Sequence, residues 1–489
     1  MRSWTLLAVG LAGIGAAAPA VAQGIRVTGA TTAQYVQLRP MVADSILATQ
    51  VPGDGEFRDG PGGFVVSCLQ GEPYCHFQRS ADRNLGAAPL LQDLYVNAWG
   101  LTPGLRGYAQ LRGRQSVGDA DTFWPRAEDH LDVLAAYLEL DRDALRARAG
   151  RQWKTSGLGF YNFDGASLLV RPLAGLSLEG FGGWSLARGV DEPRNSEALQ
   201  AVEPFAPKER GYIVGGELRV RAGPRFGAGA VYQREIRNDR AGLYTERVAA
   251  DARLRWLGAS LDGAFAYDVA STAVNEARLT LQLPPLAGVA ATLEARHYEP
   301  FFELWTIWGA FSPVGFDEGR GDLAWAVPGV PLSVTLGGGW RRYQDPNAGF
   351  PTLLLRRDGW TANGGASWRP ADGWSVDGGY AAEIGFGGAR SNQSVAVRRS
   401  FGAEDYVSLN GLAFQQAFEL RVDRGRVYGL GVDGGFRLTP FVRVDGDVYA
   451  FQHRDRAVSG QDWSQLRGSL SFTWALGSEP RARVGGRVP

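Results

Sequence analysis

From about residue 93 to 474 the apolar residues recur at every second position, and a period of two points alternate side chains of an extended strand to the same face. In residues 360–369, Trp360, Ala362, Gly364, Ala366 and Trp368 share one face, while Thr361, Asn363, Gly365, Ser367 and Arg369 share the other. One face is apolar, with a tryptophan at each end. At a rise of ~3.3 Å per residue and a tilt near ~40°, the two tryptophans differ in height by about 20 Å, close to the apolar band of a membrane barrel.

The same pattern returns along the chain. Val248, Ala250, Ala252, Leu254 and Trp256 oppose Arg247, Ala249, Asp251, Arg253 and Arg255, and Leu257, Ala259, Leu261, Gly263, Phe265, Tyr267 and Val269 oppose Ser260, Asp262 and Asp268. Leu332, Val334, Leu336, Gly338 and Trp340 form another row, as do Val442, Val444, Gly446, Val448 and Ala450 against Arg443, Asp445, Asp447 and Tyr449. A soluble sandwich also alternates. It has no need of a charged face on nearly every strand together with aromatics at both ends of the apolar rows, which is the mark of interfacial girdles.

Tight reversals carrying Pro, Gly or Asp divide the rows. They fall around Thr102-Pro103-Gly104, Asp141-Arg142-Asp143, Pro172, Gly223-Pro224, Gly258, Pro284-Pro285, Pro328-Gly329, Pro370-Ala371-Asp372, Gly402 and Thr439-Pro440. Longer polar connections lie between them at 117–129, 188–210, 299–319, 344–357 and 454–462. Short turns on one side and long loops on the other are the asymmetry of an outer-membrane barrel, periplasmic below and extracellular above. With a first strand near 33–38 and a last over 464–474, the turns give about 22 strands, within roughly 18 to 24. The fold class is therefore all-β, a single large antiparallel transmembrane β-barrel.

The termini agree with export. Arg2, an apolar stretch from Leu6 to Ala18 and the small-residue site Ala20-Val21-Ala22 predict a signal peptide over 1–22. No later segment offers the ~18 continuous apolar residues of a transmembrane helix, so the barrel is expected over 23–474 and a periplasmic tail over 475–489. With Lys+Arg 51 against Asp+Glu 51, there is no net field to attract nucleic acid. The arginine excess, with Lys154 and Lys208 the only lysines, also suits a GC-rich coding sequence.

Residues 40–92 break the rhythm and are expected as one long loop that folds into the lumen or caps the mouth. In an oxidising compartment the default for Cys68 and Cys75 within it is a local disulfide. One isolated cysteine pair with His76 lacks zinc spacing, and Glu72 stands where a haem attachment motif needs cysteine. No metal and no cofactor is expected. The segment 301–319, with its Phe-Phe-Glu-Leu-Trp-Thr-Ile-Trp run, is too apolar for a freely solvated loop and is expected on the rim or in the lumen.

Gly429, Gly431 and Gly434 match G-x-G-x-x-G, but Tyr428, Leu430, Val432, Gly434, Phe436 and Leu438 alternate straight through. A dinucleotide site needs that motif between a strand and a helix. His130, His297 and His453 fall near the loop ends of strands, and no catalytic signature accompanies them. The candidate lumen-lining residues are Glu217, Arg219, Arg221, Asp251, Arg253, Arg255, Arg278, Glu294, Arg296, Arg437, Arg443, Asp445 and Asp447. Arginine rings favour anions and carboxylates through bidentate forks. Opposed charges on neighbouring strands equally stabilise a polar wall by pairing with each other. Both readings stay open.

The stretch from Gly150-Arg151-Gln152 to Phe163-Asp164-Gly165, followed by Pro172 and a glycine-rich aromatic strand through Trp184, resembles a short stretch of alginate-export-type and related bacterial porins. The resemblance covers 150–184, whereas the general outer-membrane pattern covers nearly all of the mature chain. It implies a porin-like channel or exporter in the bacterial outer membrane, passive, for small polar or anionic solutes. Its partners are then outer-membrane lipid and the barrel-assembly machinery. Such barrels often finish on an aromatic residue, but here Leu470, Phe472 and Trp474 are followed by 475–489, which places the assembly signal internally. The rivals are a scaffold or sheath for a partner in the lumen, since such a barrel is wider than a diffusion pore needs, and an outer-membrane enzyme. A TonB-type active transporter would need a longer plug than the residues before the second strand supply.

Overall fold

The computed structural model describes residues 24–38, 41–60, 65–80, 84–100, 102–115, 117, 130–186, 211–236, 245–299, 315–344, 356–385, 388–417, 425–455 and 462–477. The chain begins with β1 (Gly24–Leu38), followed by the short strands β2 (Met41–Leu47), β3 (Phe57–Asp59), β4 (Val65–Cys68), β5 (Tyr74–Ser80) and β6 (Leu85–Ala87). Next are β7 (Leu90–Trp99), β8 (Leu105–Gln115), β9 (His130–Arg142), β10 (Leu145–Ser156), β11 (Gly159–Leu173), β12 (Leu176–Leu186) and β13 (Tyr212–Ala222). They are followed by β14 (Phe226–Ile236), β15 (Thr245–Trp256), β16 (Ala259–Asp268), β17 (Ala273–Gln282), β18 (Val289–Tyr298), β19 (Phe316–Ala326) and β20 (Leu332–Tyr343). The last are β21 (Asp358–Trp368), β22 (Trp374–Gly385), β23 (Gly388–Ser400), β24 (Tyr406–Ala417), β25 (Gly425–Thr439), β26 (Val442–Asp455) and β27 (Trp463–Gly477).

Each strand from β7 to β27 pairs antiparallel with its chain neighbours, and β1 pairs with both β7 and β27. The sheet thus closes into a barrel of 22 long strands, with β6 as a short extra pairing on β1. The first strand starts at Gly24 and the last ends at Gly477, so both exceed the bounds read from the alternation. Residues 1–22 lie outside the described residues, as does the tail beyond 477.

At one end all ten connections are two to six residues long. Between β15 and β16, Leu257 (φ 49°) and Gly258 (φ 83°) both adopt positive φ, the two-residue reversal whose twist matches a hairpin. Pro172 lies in β11 at an irregularity between Val170 and Leu173, and the reversal follows at 174–175. The opposite end carries the longer connections, except at 157–158, 269–272 and 386–387. Of the expected long loops, 188–210 is outside the described residues and the others are largely so. Residues 316–319, expected in a rim segment, belong to β19 instead.

The expectation of one structureless loop over 40–92 is corrected. Residues 41–80 form a separate antiparallel sheet in the order β2-β5-β4-β3. A bond between Cys68 and Cys75 ties β4 to β5, and Val51 and Val66 bury beside it, with Ile46, Ala48 and Phe77 packed against them. Strands of three to seven residues are too short to show a period, which is why the sequence concealed them.

Alternation decides the two faces of the barrel. Leu254, Leu261, Leu279, Leu293, Leu323, Leu336, Leu409, Leu430, Val448 and Leu470 are exposed on the outside. Aromatics flank this belt, with Trp184, Tyr212, Trp340, Trp360 and Tyr428 toward the long connections and Trp256, Trp325, Trp368, Trp374 and Phe401 toward the short ones. Trp340 and Trp360 are directly opposite each other on β20 and β21. An apolar exterior around a closed, polar-walled sheet belongs in lipid, and the chain is a transmembrane β-barrel of the outer-membrane type.

Candidate functional site: the inner wall and an inward hairpin

A 22-stranded sheet with ~4.8 Å between strands and a tilt near ~40° has a perimeter of about 140 Å, wider than wall side chains alone can fill. What projects inward therefore sets the chemistry of the passage.

The register places all thirteen candidate residues on the face opposite the apolar belt. Most of the arginines have partners there. Arg219 pairs with Glu217, and Arg253 with Asp262. Arg278 and Arg296 converge on Glu276 at 3.8 and 3.5 Å. Arg437 reaches Glu404 at 2.8 Å and Arg443 reaches Asp445 at 2.7 Å. Asp447 accepts from Ser469, and Glu294 accepts from Thr280 at 3.2 Å. Arg221 and Arg255 are exposed and make no ion pair among the described residues. They close the short-turn ends of β13 and β15. Between those strands, β14 presents Gly227 and Gly229 to the same face, directly opposite Arg221 and Arg219 and, on the other side, Arg253 and Asp251. With no side chain at these two positions, the flanking guanidinium groups border a shallow trough, and the Asp251 carboxylate reaches over Gly229.

The sequence reading missed a second charged sector. Arg112–Asp93 (2.7 Å), Arg114–Asp132 (2.6 Å) and Arg148–Glu139 (2.6 Å) link β7 to β10. Arg341 bridges Glu318 at 2.9 Å and Glu383 at 2.7 Å across β19 to β22. The period-two signal that exposed the other rows is present in these strands as well.

The β10–β11 hairpin is the feature least visible in the sequence. Its tip folds inward over the wall rather than continuing upward. Arg247 on β15, four strands away, donates at 3.1 Å to both the Leu158 carbonyl and the Tyr161 hydroxyl. A side chain at Gly157 would lie 3.2 Å from the Ala249 Cβ. Leu158 and Tyr161 cover an inner apolar stripe of Phe163, Phe181, Ile213, Val231, Ala249 and Ala266, one residue from each of β11 to β16. Burying such a group is worth roughly 1.5–3 kcal/mol per large side chain, which outweighs the ordering of a two-residue tip. Lys154 anchors the base of the tip by pairing with Glu179 at 2.6 Å and with Glu217.

Glycines permit the bend. Gly150 has φ 127°, and a side chain there would strike the Ala136 carbonyl. Gly165 and Gly183 face each other in register, and a Cβ on Gly165 would meet the Gly183 Cα at 2.6 Å. The wall strands approach closely there because neither residue carries a side chain. Both ends of the Gly150–Gly165 stretch noted in the sequence are thus bending points.

The histidines do not assemble. His297 is on the outer face, hydrogen-bonded to Asp317 at 2.7 Å, while His453 is inward and stacked on Trp463 with ring centroids 5.1 Å apart. The His130 side chain is outside the described residues. Gly429, Gly431 and Gly434 lie within β25, as their alternation requires.

No family model matches the chain, and no curated protein matches it. Among solved structures, OccAB4 of Acinetobacter baumannii superposes with a TM-score of 0.39 at 9% identity, over 93% of this chain and 99% of that one. A BenF-like porin from Pseudomonas fluorescens Pf-5 gives 0.41 at 8% identity, over 93% and 100%. The P pilus usher (PapC) translocation pore gives 0.40 at 10%, over 92% and 99%. These are distant likenesses between large barrels.

Proposed function

We infer that this barrel is a passive outer-membrane channel for small polar solutes, with a preference for anionic ones. The carrying observation is the inner wall, where charge lines a closed sheet and Arg221 and Arg255 are exposed at the short-turn ends of their strands and form no ion pair among the described residues. Arginines already paired contribute little net field, so Arg219, Arg253, Arg278, Arg296, Arg437 and Arg443 serve mainly the cohesion of the wall. The unpaired ones attract anions through planar forks suited to carboxylates. The inward tip narrows the upper half of the passage and so limits solute size. Assembly through the barrel-assembly machinery fits the outward Leu470 and Phe472 of β27, short of the chain end.

The test is single-channel conductance and reversal potential of the purified protein in planar bilayers under a salt gradient. Ohmic conductance with an anion-selective reversal potential is expected. The wide perimeter favours a second reading, a sheath around a partner. A correctly folded barrel that conducts no ions would replace the channel with the sheath.

A further inference from the structure

Outside the span of the inward hairpin the wall has a different lining. One register row crosses from Ser333 on β20 through Ser367, Asp377 and Asn410 to Tyr449 on β26. These residues face the lumen, on the parity opposite the exposed Trp368, Val395, Leu409 and Val448. The inward row above it is equally short in side chain, with Thr335, Gly365, Gly379 and Ser394 as successive partners. The wall therefore recedes into a cavity of about 460 Å³, within the ~300–1,000 Å³ usual for small-ligand sites.

Tyr449 borders this cavity. Its ring leans from β26 over β25, where a Cβ on Gly431 would strike it, and Phe451 leans likewise over Gly429. The two rings are 17° from parallel with centroids 6.0 Å apart. Arg467 stands over the Phe451 ring at 5.3 Å, so Tyr449 is the ring left to the cavity. The rest of the lining is polar. Thr335, Ser367, Asp377 and Ser394 form no hydrogen bond or ion pair with a described residue, while Asn410 donates to Asp433. The neighbouring Arg369 and Arg398, one inward step nearer the short turns, make no ion pair with Asp377, and Arg398 stands over the Tyr406 ring at 3.7 Å instead.

We propose that this cavity binds a pyranose ring of an uncharged sugar. Sugar hydroxyls donate and accept, which matches the hydroxyls of Thr335, Ser367 and Ser394, and the Asp377 carboxylate takes sugar O–H donors in charge-assisted bonds. The C–H face of the sugar packs on Tyr449, whose π electrons attract its slightly positive hydrogens. A small anion would meet Asp377 and gain nothing from the ring. An apolar solute would strip water from the carboxylate and hydroxyls without replacing their hydrogen bonds. The site deepens the channel reading and rests on it for one thing only, a lumen that small solutes can enter.

Saturation-transfer NMR of the full-length protein, in a detergent without a sugar headgroup and with maltotriose as probe, tests this without a bilayer. Wild type should bind the trisaccharide, with saturation strongest on the ring C–H protons of one face. Y449A and D377N should each bind about threefold to tenfold more weakly, and Y449F, which keeps the ring, should bind like wild type. Trigalacturonic acid should bind more weakly than maltotriose. Equal affinity of wild type and Y449A overturns the proposal, as do tighter binding of the acidic trisaccharide and displacement of maltotriose by millimolar tetramethylammonium. Should Y449A fail to fold, D377N and the wild-type preference between the two trisaccharides still decide. A protein that binds maltotriose but conducts no ions refutes the channel and leaves the site; one that conducts but does not bind it refutes the site alone.

Discussion

Replacing Lys154 with Met probes the inward hairpin at its anchor. The Lys154 side chain is 11% exposed between Glu179, 19% exposed, and Glu217, 8% exposed. The two glutamates are directly opposite each other on β12 and β13, which puts their Cβ atoms about 5 Å apart. In the variant Arg219 still neutralises Glu217, while Glu179 keeps no cation among the described residues. Stranding one partner of a buried pair costs about 3–5 kcal/mol. Glu179 borders a polar lumen and is partly solvated, so the expected loss falls below that range, about 2–3 kcal/mol. Adding Glu179→Gln removes the stranded charge and should recover about 1–2 kcal/mol, a coupling typical of residues in contact. Urea unfolding of the barrel in lipid vesicles, followed by tryptophan fluorescence, supplies the free energies. The tip begins three residues after Lys154, so K154M should also raise single-channel conductance. A K154M protein within about 0.5 kcal/mol of wild type, or a double variant whose losses simply add, would show that Lys154 anchors nothing.

Other expectations follow from the faces and ends of the barrel. Ala252→Arg or Gly364→Arg on the lipid face should cost roughly 2–4 kcal/mol, whereas Thr292→Arg, inward and opposite Asp322, should be tolerated; equal losses in the same unfolding assay would refute the assigned parity. Gly365 is inward too, but a Cβ there would meet the Thr335 Oγ1 at 2.9 Å, so it is a poor control. R221E/R255E should move the reversal potential toward cations more than R219E/R296E does, and an unshifted value in a conducting variant would leave a general pore. Tags inserted at 195 or 350 should be labelled on intact cells and a tag at 371 should not; the reverse pattern overturns the orientation. In the small sheet, the hydrogen bond from Arg79 holds the Asp44 carboxyl below its ordinary value of 3.8. A lowered folded value means a contribution that is present above pH 3.8 and lost as pH falls below it, so D44N should increase proteolysis within 41–80 at pH 5 and converge on wild type as the pH is lowered through the acid range below 3.8; a difference that does not shrink with falling pH would exclude Asp44 as the cause.

The barrel was legible because lipid and water impose opposite demands on consecutive residues. Each charged side chain on the wrong parity would cost kilocalories, so the row from Trp360 to Trp368 declares both its faces and its length without reference to any other strand. The partners of the inward charges were not legible in this way. Periodicity tells that Arg278 and Arg296 face inward, but their convergence on Glu276 depends on the registers joining β17 to its neighbours, and register is a property of strand pairs.

The hairpin shows the same limit more sharply. Gly150, Gly165 and Gly183 stand on three different strands, and their meaning lies in the close approach that they permit together. The stripe from Phe163 to Ala266 takes one residue from each of six strands, and within any one strand it reads as no more than a brief apolar lapse in a polar row. Only when the sheet is assembled do these lapses line up, and Leu158 then has a surface to cover.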